Sequence, residues 1–214
     1  MTSGSGDTTV ELPMFPLGSV LFPAMPLPLR VFEPRYLAML QDILSDEAAE
    51  FGVVLIERGQ EVGGGEQRFP LGTVARISEV STGEGFVGLL AQGTDRFEVV
   101  EWLAEAPYPR AAVRMIPDLE WDPDLHERRV QSEALVRRTL AKASEFDDQR
   151  WPSTIGLSED PVASLWQLAA IAPLGPMDQL ALLGADNPRR LLDSIFTSTQ
   201  DAGESIDAWP DEMV

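Results

Sequence analysis

Cysteine is absent from these 214 residues, which excludes a disulfide framework, a thiolate metal site and a cysteine nucleophile. Lysine occurs once, at Lys142, and histidine once, at His126. Sixteen basic residues face 35 acidic ones, for a net charge of −19 at pH 7. Affinity for nucleic acid comes largely from Lys and Arg neutralising phosphates. This balance therefore argues against nucleic acid or an anionic membrane as partner and reads as solubility. No apolar run approaches the length of a membrane span. The opening MTSGSGDTT has neither the basic start nor the apolar stretch of a secretory signal, so the expected location is the cytoplasm.

Catalytic machinery is equally sparse. There is no G-x-x-x-x-G-K-[ST] phosphate loop. A Ser-Lys dyad needs a hydroxyl beside a lysine of lowered pKa, and Ser144, two residues from Lys142 on an expected helix, faces another way. Asp122, Asp124, His126 and Glu127 form the one cluster of metal-ligand types, but acidic residues also favour a helix start, and that is the expectation. Glu57, Glu61, Glu66 and Glu84 show no spacing that selects an acid–base pair. The run Gly63-Gly64-Gly65 leads into no Lys-Ser/Thr helix start, so it reads as a loop. No catalytic residue, cofactor or metal is expected.

What is present begins with the segment 12–36, LPMFPLGSVLFPAMPLPLRVFEPRY, apolar throughout and carrying six prolines. Each proline fixes φ and removes a backbone donor, which predicts neither a long helix nor a central strand but an extended, edge-like entry into β-structure. Residues 1–10 read as a disordered tail. From 11 to 117 the pattern is mostly β: an apolar run at 51–58, alternation over 71–80, a Gly83-Glu84-Gly85 turn making a hairpin with 86–91, and strands at 95–103 and 110–116. Short strands with glycine turns suggest a small barrel-like sheet. One helix interrupts it, opened by Pro34, with Tyr36, Leu37, Leu40, Ile43 and Leu44 as its apolar stripe.

After Pro117 the pattern turns helical. The stretch 125–146 reads as one helix with Val130, Ala134, Leu135 and Leu140 inward. Asp160-Pro161 and Asn187-Pro188 each pair an N-cap with a first-turn proline. A short helix over 176–183 stops at Gly184. The expected division is a β-rich domain over 11–117, a helical subdomain over 118–199 and an acidic flexible tail over 200–214.

These motifs resemble the N-terminal, substrate-binding domain of the ATP-dependent Lon proteases. Leu12-Pro13-Met14-Phe15-Pro16-Leu17, Val20-Leu21-Phe22-Pro23-Ala24-Met25 and Leu27-Pro28-Leu29 are similar to its opening strands, with Ala24 where a glycine is common. Phe69 to Ile77 resembles its (V/I)GT-x-A-x-I strand, and Ala91 to Phe97 its following turn and strand. Leu168-Ala169-Ala170, Pro173-Leu174, Gln179 to Leu183 and Pro188 to Leu192 resemble its helices. The ending Phe32-Glu33-Pro34-Arg35-Tyr36 is similar to that of members without ATPase and peptidase parts. The resemblance implies an α+β chain: an N-terminal, PUA-like, small β-barrel-like domain with one packed helix, followed by a C-terminal α-helical bundle.

It also implies a non-enzymatic module that binds unfolded or damaged protein. The rival expectation is an adaptor or regulator of a separate protease or ATPase, binding a specific folded partner. Either would be a monomer or weak dimer. Flexible methionine and flat aromatics suit a surface for varied apolar segments, although most such side chains in globular proteins fill the core. On this basis Phe15, Phe22, Met25, Phe32 and Trp102 are the candidate peptide-binding residues, with strand addition at an open sheet edge as the physical route. Trp209, in the acidic tail, is either a short contact motif or part of a frayed end.

Overall fold

The computed structural model describes residues 9–45, 48–58, 67–147 and 149–208. The loop at Gly63-Gly64-Gly65 and the tail tryptophan Trp209 lie outside the described residues. The chain divides into two units, Met1–Asp118 and Leu119–Val214.

The first unit holds β1 (Thr9–Leu17), β2 (Pro26–Val31), α1 (Pro34–Ile43), β3 (Glu50–Arg58), β4 (Gln67–Gly83), β5 (Phe86–Trp102) and β6 (Arg110–Ile116). The strands form one mixed sheet in the order β2-β5-β4-β3-β1-β6, and β6 pairs in addition with β5. β1 runs parallel to β3, and every other pairing is antiparallel. The expected strands at 86–91 and 95–103 are one long strand, β5. Its first half pairs with β2 and its second half with β6, both on the side away from β4.

The proline-rich first strand is not an edge. β1 pairs with β6 through Thr9–Pro13 and with β3 through Met14–Leu17. Alternate residues of a strand bond to opposite neighbours, and the Met14 N–H donates to Pro109 O on the β6 side at 2.8 Å. The missing donor of Pro16 therefore faces β6 beyond the end of that ladder. That of Pro13 faces β3 just before that ladder begins. Neither proline costs the sheet a rung, which is how a central strand accommodates them.

Leu12, Met14, Val54, Val74, Phe97, Ala111 and Val113 form one buried cluster, with Val99 and Trp102 packed against it. Helix α1 lies on another part of the sheet. Its buried residues Tyr36, Met39, Leu40 and Ile43 recur at helical spacing, with Met39 inside where the sequence suggested Leu44, which is exposed. The Tyr36 ring stacks on Phe15 with centroids 4.1 Å apart, and Phe15 meets Phe51 at 5.8 Å.

The second unit carries a 3-10 turn (Pro123–Leu125), then α2 (His126–Ala143), α3 (Pro161–Ile171), α4 (Pro176–Leu183) and α5 (Pro188–Asp207). The expected caps are made: Asp160 accepts from the Ala163 N–H at 2.7 Å and Asn187 from the Arg190 N–H at 2.9 Å. Two expectations are corrected. The inward face of α2 is Ser132, Val136, Thr139, Leu140 and Ala143, whereas Val130 and Ala134 are exposed and Leu135 is half-buried. The cause is helix phase: at about 100° per residue the buried positions share one face, and Val130 and Ala134 fall on the opposite one. On the buried face α2 and α5 come close, since a Cβ on Gly203 would sit 3.4 Å from the Thr139 Oγ1. Helix α5 also continues through Asp207, past residue 200 where the sequence suggested a flexible tail. Near that end the Lys142 ammonium holds the Asp207 carboxylate at 2.7 and 2.8 Å.

Candidate functional site

Three of the five aromatic and methionine candidates are core side chains. Phe15, Phe22 and Met25 are buried: Phe15 sits between Tyr36 and Phe51, and Phe22 and Met25 lie in a turn pinned to β5. There the Ala24 N–H donates to Gly93 O and the Gly93 N–H to Met25 O, at 2.8 and 2.9 Å. The turn needs a left-handed residue, and Ala24 supplies it at φ 60°. Glycine takes this conformation without the strain an L-residue bears. Trp102 is half-buried on the core cluster, with the Arg68 guanidinium 4.8 Å above its ring. Phe32 is the one candidate that is open to solvent, at 55%.

The Glu33-Pro34-Arg35-Tyr36 motif is likewise put to structural use. Arg35 donates to Glu33 at 3.2 Å and to Glu105 at 3.1 Å, and its guanidinium lies 4.5 Å over the Tyr36 ring. Arg68 reaches the same Glu105 at 3.2 Å. Two largely covered arginines thus share one carboxylate, tying the start of α1 to β4 and to the loop before β6. In that loop Tyr108 donates to the Asp42 carboxylate at 2.8 Å. Burial raises the Tyr108 pKa above its ordinary value, the Asp42 hydrogen bond and charge add to the rise, and the Arg110 charge opposes it.

Of the groups weighed as catalytic or metal-binding, Asp122, Ser144 and Lys142 have partners of their own, and Glu61 and Glu66 lie outside the described residues. Asp122 accepts from the Asp124 N–H at 3.0 Å and from Arg189 at 3.4 Å. The Ser144 hydroxyl donates to Leu140 O at 2.8 Å, while Lys142 is held by Asp207. Among the described residues no group of three or more His, Asp or Glu side chains is placed to hold a metal ion. No described helix is long and apolar enough to cross a membrane.

A surface that could take a ligand lies elsewhere, on the three-stranded arm where β2, the first half of β5 and the second half of β4 run side by side. Pro28, Arg30, Glu79, Phe86, Gly88 and Leu90 line an open hollow of about 590 Å³ on one face of the arm. The registers explain the grouping: Pro28 and Glu79 flank Leu90, and Arg30 and Ser81 flank Gly88. The glycine keeps the trough open, because a Cβ at position 88 would come within 2.5 Å of the Ser81 Oγ. Phe86 folds back over Gly83, and the Arg30 guanidinium sits 5.3 Å from the Phe86 centroid, a cation–π contact. The opposite face carries the buried residues Leu27, Val31, Leu89 and Ala91.

The arm has two outer edges of different chemistry. Since Met25 bonds Gly93, the register of β2 directs Leu27, Leu29 and Val31 to β5, and Pro26, Pro28 and Arg30 outward. Two of the three outward positions therefore have no N–H. On the other side, the last bond from β4 toward β3 is Ile77 N–H to Ala49 O. A bulge between Ile77 and Glu79 shifts the register, after which Glu79, Ser81 and Gly83 bond β5, while Val80 and Thr82 turn N–H and C=O outward. No described strand pairs with that side of residues 78–83. Val80 is 46% exposed there.

Excess aromatics do not mark this surface, whose lining, among the described residues, holds a single aromatic, Phe86. The usable signal was the spacing of two between Pro26 and Pro28, which puts both missing donors on one side of a strand.

A family model described as the ATP-dependent protease La (LON) substrate-binding domain matches residues 11–200. Lon protease 2 of Herpetosiphon aurantiacus is 34% identical over 139 residues, which are 64% of this chain and 16% of that protein. Lon protease 2 of Myxococcus xanthus is 40% identical over 115 residues, 52% of this chain and 14% of that protein. The chain thus spans only a small part of the length of these relatives. Among solved structures, that of a Lon N-terminal domain protein from Xanthomonas campestris has 28% identity and a TM-score of 0.61, and the likeness covers 88% of this chain and 98% of that one. The N-terminal domain of Mycobacterium avium complex Lon protease, at 15% identity and a TM-score of 0.62 over 90% of this chain and 99% of that one, shares the fold.

Proposed function

The chain belongs to the ATP-dependent protease La (LON) substrate-binding domain family, and from that premise we propose that it is a polypeptide-binding module that catalyses no reaction on what it binds. Family membership carries the reading. The open hollow and the unpaired β4 edge support it, because extended chains are recognised by backbone hydrogen bonds combined with side-chain pockets. The engaged states of Lys142 and Ser144 support the non-catalytic half. The ligand class is unfolded or damaged protein in the cytoplasm.

The same reading takes residues 11–117 as a small barrel-like, PUA-like domain. Support comes from the circuit of pairings β1–β3–β4–β5–β6–β1. The helices from α2 to α5 are read as a helical bundle of their own, supported by the division of the chain at Asp118 and Leu119.

The test is a fluorescence-anisotropy titration with a labelled, permanently unfolded protein whose thiols are alkylated with iodoacetamide, at low and at moderate salt. Saturable binding to the purified chain is expected. Absence of binding at both salt concentrations sinks the proposal.

A further inference from the structure

We propose that the free edge of β4, centred on Val80 and Thr82, is where a polypeptide docks, as an added strand whose side chains alternate between apolar and basic. This inference rests on the polypeptide-binding reading and gives it a place and a ligand pattern.

The first argument is the asymmetry of the arm. Unpaired strand edges invite pairing with other chains, and proteins blunt them with proline, charge or bulges. The β2 edge is blunted, with Pro26 and Pro28 both turned outward. The β4 edge, two strands away in the same arm, keeps the donors and acceptors of Val80 and Thr82, and the bulge that precedes them is what turns these two outward. One edge is closed and the other is left able to pair.

The second argument is side-chain direction. Val80 pairs with Leu89, and its side chain shares the face of the buried Leu27 and Leu89. Glu79 pairs with Leu90 and shares the face of the hollow. Successive side chains of an added strand alternate between these faces. Those beside Val80 extend an apolar surface, and those beside Glu79 meet a carboxylate. Glu79 is exposed and makes no ion pair among the described residues. Glu84, in the turn that ends the arm, is a second exposed carboxylate. Arg30 lies on the far strand of the hollow, against Phe86.

Charge decides among occupants. The chain carries −19 with a single lysine, so a second copy edge-to-edge brings two strongly acidic molecules together, whereas a cationic extended segment is attracted. Opposite charges across neighbouring strands stabilise the pair and like charges weaken it.

The experiment uses the full chain and a fluorescein-labelled peptide, Val-Arg-Val-Arg-Val-Arg, read by anisotropy. Saturable binding is expected, weakening as salt screens the carboxylates. The same peptide N-methylated at every residue should bind at least tenfold more weakly, and so should Val-Glu-Val-Glu-Val-Glu. On the protein side, Val80→Pro removes one outward N–H without touching a bond to β5, and should lose binding at least tenfold with an unchanged circular-dichroism spectrum. If that variant fails to fold, the N-methylated peptide against the unaltered chain decides.

Equal binding of the methylated and unmethylated peptides overturns the edge while leaving the polypeptide-binding reading intact. So does binding of the alkylated unfolded protein without binding of the Val-Arg peptide. Failure of the chain to bind either ligand overturns both. Dimerisation in sedimentation that Val80→Pro abolishes makes a second copy the occupant and overturns the cationic-strand assignment.

Discussion

Replacing Gly93 by alanine tests how tightly the proline-rich entry segment is clamped to the sheet. A Cβ at position 93 would lie 2.2 Å from Phe22 O and 3.0 Å from Phe22 C. These are backbone atoms, so no rotamer change relieves the clash. The turn must retreat from β5 by about an ångström to restore ordinary contact. That retreat stretches the two bonds that hold it, Ala24 N–H to Gly93 O and Gly93 N–H to Met25 O.

Two bonds at roughly 1 kcal/mol each and an overpacking cost of ~1–3 kcal/mol give a destabilisation of about 3–5 kcal/mol. Against total stabilities of about 5–15 kcal/mol, that is a large share. In a unit of this size it should lower Tm by about 10–20 °C. The assay is thermal unfolding followed by far-ultraviolet circular dichroism, with Gly156→Ala as control. Nothing lies within 4 Å of a Cβ at position 156, so the control should stay within about 0.5 kcal/mol of the starting protein. A Gly93→Ala variant melting within a few degrees of the control would refute the clamp.

Three further outcomes are expected. Thr73 is buried and donates its hydroxyl to Leu21 O at 2.7 Å, so the near-isosteric Thr73→Val should cost about 1–3 kcal/mol in urea unfolding, because a buried carbonyl is left unpaired. Ala24 holds φ 60°, a strain of roughly 1–2 kcal/mol for an L-residue, and glycine returns about half of that through its freer unfolded chain. Ala24→Gly should therefore raise stability by about 0.5–1 kcal/mol in the same assay.

For Tyr108 the folded state favours the neutral phenol, so its pKa is raised. Its contribution is complete below the unfolded value and is lost as pH rises through the folded one. Urea midpoints should decline above about pH 10, and Tyr108→Phe should flatten that decline.

Much of the local structure was legible. The caps at Asp160 and Asn187 and the prolines at helix starts are short-range chemistry, complete within one turn. The Gly83-Glu84-Gly85 signal marked a hairpin because Gly85 takes a positive φ of 82°, which few other residues tolerate. The family was legible for a related reason: Gly72 and Gly93, within its motifs, stand where a Cβ would strike the backbone, at Val53 O and Phe22 O respectively.

Other features escaped because they depend on what lies alongside. β1 looked like an edge, yet the offset of its two ladders lets Pro13 and Pro16 sit centrally. The face of α2 looked like that of Val130 and Ala134, but the buried face is that of Ser132, Val136 and Thr139, and which of a helix's faces is covered depends on where its neighbour lies. Phe15, Phe22 and Met25 looked like surplus aromatic and thioether surface, but the stack with Tyr36 and the turn under Gly93 consume them.

The sequence by itself determined the absence of thiol chemistry, the acidic surface, the order of strands and helices and the caps that delimit them. These follow from composition and from interactions a few residues apart. Only the tertiary structure decided which strand edge is closed and which is open. A strand's two sides are equivalent until its neighbours are placed, and the bulge before Glu79 and the end of β3 pairing at Ile77 then leave Val80 and Thr82 facing out.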